Sequence, residues 1–535
     1  MNRQKNLLRS GFLIFLIIYN VASFAGSKYV EEVVIPPYNS NDPTHVLITP
    51  ENGKWSNEVL NDPSKKHFYI RPGDYRNIKI NLEASGVSTD KRTISLYNGK
   101  NIHPASLPIS EQANVKISID GGNYWIINKL SFIATDDMIF YSGSSHNIIN
   151  ECYFKNFFSA IQLRSNANYN TIQKCYLDTM TENARLNDRV AIFFQYFGGS
   201  GNEGNHIISN DIRNTNDGIM LFVLQSDISK GVYFPDTVIY DNNIWNDGET
   251  YTNGNWKTDG YDENGEYGTA ENAIDIKAGS NDINRPILII KNRMWGYRAL
   301  DPTFDAAGSI GDTTPPVISA HYNSRFINIQ DNIIFDSLSS YSHRDNGGRG
   351  GFAGKNIKYS NNIMVDIGYT TNGGNSVYNL EFDDVHDMKI TNNTFKNIAL
   401  STNFVAWNSS DIEFSNNVSI NTGVHRKGSG VSSFNANNNW FFHAKQTFGG
   451  TNNHIYSDTS NVKMKDYVFI YKRYTSRPEE KLLKGIISTN ESPFYNIAGS
   501  LANYDSQMPN NNSNDLKKGK HWILDDSRNV LLRSE

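Results

Sequence analysis

The chain has 535 residues and a net charge of −5, from 50 Lys and Arg against 55 Asp and Glu. That balance argues against nucleic acid or an anionic membrane as the main partner, and two cysteines are too few for a disulfide scaffold. Aromatics are plentiful, with 29 Tyr, 28 Phe and 8 Trp, which suits sugar stacking as well as core packing.

The opening stretch, MNRQKNLLRSGFLIFLIIYNVASFAGS, carries Arg3, Lys5 and Arg9, then an apolar run over 12–19 and small residues ending at Ala25. This is the plan of a secretory signal peptide over 1–25, cleaved after Ala25. The protein is therefore expected to be secreted or periplasmic. The apolar run is short for a bilayer span, and no membrane span is expected after cleavage.

Residues 26–110 read as an N-terminal entry region, in which HFYIRPGDYRNIKINL gives a strand, a Pro-Gly turn and another strand. Coils begin at ISIDGGNYWIINKLSF and fill 111–445. There an octet recurs: INECYFKN, IQKCYLDT, ISNDIRNT, YDNNIWND, IKNRMWGY, IQDNIIFD, YSNNIMVD, ITNNTFKN and FSNNVSIN. The markers are Cys152, Cys175, Asn210, Asn243, Asn292, Asn332, Asn362, Asn393 and Asn417, about two dozen residues apart at the closest. Such a coil with inserted loops is what a parallel β-helix needs: strands pair with their counterparts one coil away, and inward apolar side chains stack. Asn suits a recurring turn, because it tolerates the left-handed conformation and bonds to the amide above it. The expected fold is all-β, a single-stranded right-handed parallel β-helix with long loop insertions. A capping tail over 446–535 covers the open end. Cys152 and Cys175, in consecutive coils, read as an inward stack rather than a disulfide.

The markers set a second register. A small residue eight positions on opens another strand in AIQLR (160–164) and GIMLF (218–222), and AIDIK (273–277) and VISAHY (317–322) fit the same register once delayed by inserted loops. Lys277 then falls near Arg164 and His321, Asn216 near Glu271, and Asp217 beside Asn272. Alternation puts Asp275 and Lys277 on the outward face. Two insertions, 248–269 and 301–316, leave the coils on this side and are placed to wall a groove. Clustered hard oxygen donors (Asn216 or Asp217 on one coil, Glu271 or Asp275 on the next) suit calcium.

With this repeat and cluster the chain resembles the secreted right-handed parallel β-helix polysaccharide lyases, nearest the chondroitinase B and alginate lyase group. The resemblance implies cleavage of an anionic, uronic-acid-containing polysaccharide by β-elimination. It implies Lys277 as base, Arg298 as acid or charge stabiliser, and a calcium ion held by Asn216, Asp217, Glu271 and Asp275. The strand register puts His321 beside Lys277 instead, as a second candidate acid. Arg164, Arg344 and Tyr322 are expected to bind substrate, and the protein is expected to act as a monomer. Rival readings on the same fold are a glycoside hydrolase working through Asp217, Glu271 and Asp275, a C5-epimerase, and a non-catalytic glycan-binding β-helix.

Overall fold

The structure, a computed structural model, describes residues 29–135, 137–181, 190–196, 201–224, 231–246, 272–297, 316–322, 324–344, 354–368, 378–400, 402–444, 447 and 450–456. It also describes four further strands, Val462–Tyr471, Glu479–Thr489, Lys520–Leu524 and Val530–Ser534. The predicted leader, the insertion 248–269, residues 301–315 of the second insertion, Glu271 and Arg298 lie outside the described residues.

The coils form a parallel β-helix with three strand rows. One row is a 14-stranded sheet that begins with His45–Ile48, His67–Ile70 and Arg92–Leu96. The segment expected as an entry region therefore already contributes stacked strands. The other two rows belong to a 24-stranded sheet and pair parallel from coil to coil. One runs through Tyr153, Tyr176, Asp211, Asn243, Arg293 and Ile333. The other runs through Ile161, Ile192, Ile219, Ile274, Ile318 and Tyr341. The strands after residue 461 form a third, four-stranded sheet with two antiparallel pairs.

Inside, like stacks on like. Ile127, Ile149, Ile172, Ile207, Ile239, Ile289 and Ile329 occupy one register position in successive coils, and all are fully buried. Each contributes about 1.5–3 kcal/mol by leaving water. β-branched side chains suit this position because they fill a pleated, two-sided environment.

The bend between two strand rows is made by a single left-handed residue, namely Ser209, Asp241, Lys291, Asp331, Asn361, Asn392 and Asn416 in turn. The residue after it is the buried Asn. The strained conformation therefore falls one position before the marker, not on it. The Asn amides form a continuous ladder. Asn210 donates to Asn242, Asn242 to Asn292, Asn292 to Asn332 and Asn332 to Asn362, each at 3.0 Å. It continues through Asn393, Asn417, Asn439 and Asn453.

Asn243, expected in this ladder, is not in it; Asn242 is. The doublet Asn242–Asn243 leaves the register open by one residue, and one residue flips the face. Asn243 lies in the outward row, bonded to the Asp211 carboxylate at 2.7 Å and to the Arg293 guanidinium. Cys175 extends the ladder downward, its backbone N–H donating to Asn210 Oδ1 at 2.9 Å. Cys152 and Cys175 are both free and buried, as the inward-stack reading required.

Candidate functional site

The third strand row carries the chemistry, because its outward side chains form two parallel columns. Pairing of Asp217–Phe222, Ile274–Ile276, Pro316–His321, Ser339–Arg344 and Tyr378–Asp383 fixes them. One column reads Met220, Asp275, Ser319, Ser342, Glu381. Two residues further along each strand, the second column contains Phe222, Lys277, His321, Arg344 and Asp383; His321 pairs directly with Arg344, and Arg344 with Asp383. Alternation sends these side chains out, while Ile274, Ile276, Ile318 and Ala320 between them fill the core.

Asp275 is the centre. Its side chain is fully buried although it points outward, and Lys277 Nζ lies 2.8 Å from Oδ2. His321 Nε2 lies 3.2 Å from Oδ1 and 2.7 Å from Ser319 Oγ. Burial pushes the Asp275 carboxyl up, but the Lys277 ammonium and then His321 outweigh it and hold it down at about 2. Lys277 and His321 keep 19% and 17% of their side-chain surface exposed. The carboxylate thus sits beneath two groups that reach solvent.

One coil further, Arg344 is 32% exposed and is held by Glu381, with Nε 2.7 Å from Oε2. Ser342 Oγ donates to the same oxygen at 3.4 Å. Burial raises the Glu381 carboxyl, against the opposing pull of Arg344. Ser319, Ser342 and Glu381 were not singled out in the sequence; following the outward column two coils past His321 would have found them.

The remaining expected residues are spread along the helix. Asp217 is buried beside Asn272, whose backbone N–H donates to Asp217 Oδ1 at 3.1 Å. Asn216 is buried, its own N–H meeting Met180 Sδ at 3.4 Å. Arg164 shares the Lys277 column, but Val190–Gln195 and Asp217–Phe222 intervene. It stands three coils away, with its guanidinium 4.8 Å over the Tyr141 ring. The coil of Val190–Gln195 has its octet at Cys175, but the strand opens fifteen positions after that marker rather than eight, so the second register passed over it. Tyr322 turns back at a left-handed φ of 51° and packs against the core, 5.8 Å from the His321 ring. His343 faces inward and is fully buried, with its Nδ1 3.2 Å from the Tyr341 hydroxyl.

Among the described residues no group of three or more His, Cys, Asp or Glu is arranged to hold a metal ion. Asp275 Oδ2 faces the Lys277 ammonium and Oδ1 faces His321, and Asp217 has given one oxygen to a backbone N–H. Calcium needs six to eight oxygens, and of its expected donors Glu271 lies outside the described residues. No described helix is long and apolar enough to cross a membrane.

No family model and no curated protein matches the chain. Solved structures do. An alginate lyase from Paenibacillus sp. str. FPU-7 is similar at 12% identity and TM-score 0.34, over 65% of this chain and 94% of that one. The catalytic domain of a GH87 α-1,3-glucanase is similar at 12% identity and TM-score 0.38, over 79% and 71%. A mannuronic-acid-specific polysaccharide family 6 lyase from human gut microbiota is similar at 12% identity and TM-score 0.41, over 78% and 92%.

Proposed function

We propose that the protein is a polysaccharide lyase that cleaves an anionic, uronic-acid-containing polymer by β-elimination at Asp275, Lys277 and His321. The observation that carries this reading is the single buried carboxylate shared by two half-buried proton carriers that reach solvent. Asp275 contacts both, 2.8 Å from Lys277 and 3.2 Å from His321, so its one negative charge can balance either of them as the cation. One is then a cationic acid while the other is a neutral base.

In the reactive form Lys277 is the free amine and His321 the imidazolium. Lys277 takes the proton from C5 of the uronate. The electron pair left behind forms the C4–C5 double bond as the C4–O4 bond breaks, and His321 gives its proton to O4. Lys277 ends as ammonium and His321 as neutral imidazole, so the charge over the three groups does not change. Exchange with water resets them. Arg344, always charged and bound to Glu381, meets the carboxylate on which negative charge develops. Lys277 resting as ammonium beside Asp275 is not a base; transfer of the shared proton to His321 makes it one.

Calcium stays a proposal that rests on Asn216, Asp217 and Glu271, and no step here passes through it. A hydrolase reading needs two carboxylates roughly 5–9.5 Å apart. Of the carboxylates that reading would use, Asp275 is already engaged by Lys277 and His321 and Asp217 by a backbone N–H.

The test is incubation of the full chain with alginate, chondroitin, polygalacturonate and a bacterial exopolysaccharide. The expected result is ultraviolet absorbance from newly unsaturated ends. New reducing ends without absorbance would instead make it a hydrolase, and altered uronate configuration without chain scission an epimerase.

A further inference from the structure

The two outward columns continue beyond the cluster, onto Thr402–Trp407 and Val424–Lys427. Asp383 pairs with Trp407, and Glu381 with Val405, which pairs with Arg426. Trp407 therefore stands four strand spacings, about 19 Å, along the same face from Lys277.

Three features prepare this place for a ligand. A Cβ on Gly428 would lie 2.3 Å from Trp407 Cδ1 and 2.7 Å from Nε1, so the indole lies across the glycine of the next coil. Tyr378 meets the indole edge-on, with centroids 5.1 Å apart, and fixes its tilt. The Arg426 guanidinium sits 5.6 Å over the Tyr378 ring, with Nη2 3.4 Å from the phenol oxygen. Arg426 is exposed and has no acidic partner among the described residues. A flat aromatic surface beside an unneutralised cation matches a sugar ring that carries a carboxylate or sulfate. Nothing in the core requires Arg426: its neighbours in the column, Val405 and Glu381, are packed or paired, whereas it ends in solvent.

We propose that Trp407, Arg426 and Tyr378 form a distal subsite for one charged sugar unit, so that a single polymer chain runs along the columns from Lys277 to Arg426. The direction of the chain rests on the elimination reading; the subsite itself does not. It makes the enzyme a reader of long chains, with energy from a remote unit helping to hold the unit at Lys277.

The experiment compares the full chain with Trp407→Ala and Arg426→Gln, using Lys389→Gln on the opposite sheet as control. Retention in gels containing alginate or polygalacturonate is measured at low and high salt, beside initial rates and thermal melts. Both site variants are expected to lose retention about tenfold, with the loss from Arg426→Gln shrinking as salt rises. Where the polymer is cleaved, the loss falls in KM. If both variants are retained like Lys389→Gln, or the parent chain is not retained by any polymer of the panel, the subsite is wrong. Retention without cleavage, weakened in both variants, keeps the subsite and overturns only the elimination.

Discussion

The Asp275 carboxylate has no contact with water, yet it lies 2.8 Å from the Lys277 ammonium, which has. An ion pair half in and half out of solvent is costly to break from one side only. Truncating the outer partner leaves the inner charge stranded, at about 3–5 kcal/mol.

Lys277→Ala is therefore expected to do two things. Under the proposed elimination it takes away the base and should lower turnover by about 10²–10⁴-fold or more. It also lowers the melting temperature, because Asp275 keeps His321 alone. Adding Asp275→Asn to that background should recover most of the melting temperature and none of the activity. A double-mutant cycle on thermal melts, run beside initial rates, checks both. Near-parental rates in Lys277→Ala would make the pair an ordinary structural contact.

Lys277→Arg keeps the charge beside Asp275 and should keep the melting temperature. It should remain inactive, because a guanidinium does not release its proton at working pH. Rates and melts on one preparation separate this from a folding defect.

Arg344→Ala is expected to lower kcat/KM by at least tenfold and to destabilise, since Glu381 is left buried without its cation. Glu381→Gln keeps Arg344 in place less firmly and should cost less on both counts. Steady-state kinetics of the two variants orders them, and the reverse order would remove Arg344 from carboxylate binding.

Two buried groups divide the acid range of stability between them. Burial, helped by the charge of His321, holds His343 down at about 3, below its unfolded value of about 6.5. The unfolded chain binds that proton first, so the contribution is complete above pH 6.5 and falls as pH drops towards 3, by up to about 1.4 kcal/mol per unit. The depressed Asp275 carboxyl acts lower: its contribution is complete above about pH 4 and falls towards about 2. Denaturant unfolding from pH 7 to 4 should show the first slope, and His343→Gln should flatten it.

Exhaustive EGTA treatment is expected to leave the rate unchanged, given how Asp275 is occupied. A loss restored by calcium would bring Glu271 and Asp217 into the site after all.

The β-helix was legible because its grammar is periodic. Repeated octets reveal the coils, and a two-residue alternation reveals which side chains face out. Lys277 beside His321, and Asp217 beside Asn272, follow from counting alone. Counting failed where the chain offers two equal choices, as with Asn242 and Asn243, or delays a strand, as with Val190–Gln195 after the Cys175 octet. The charge state of the site was not legible either. Whether Asp275 is a metal ligand or the anchor of Lys277 and His321 depends on distances of about 3 Å and on exclusion of water, which spacing does not encode. A second ladder, Asn147 to Asn170 to Asn205, escaped notice because its asparagines lie in loops without the octet.

The Asn ladder also separates contour length from pitch. Asn332 and Asn362 are 30 residues apart in the chain and Asn242 and Asn292 are 50 apart, yet both pairs close with the same 3.0 Å bond. Each coil is thus an interchangeable cassette whose ends are read by one amide. Excising residues 332–361 would bring Asn362 to the position Asn332 held and shorten the molecule by one cassette. The face that carries Lys277 would stay in phase, and the span to Trp407 would contract by one strand spacing.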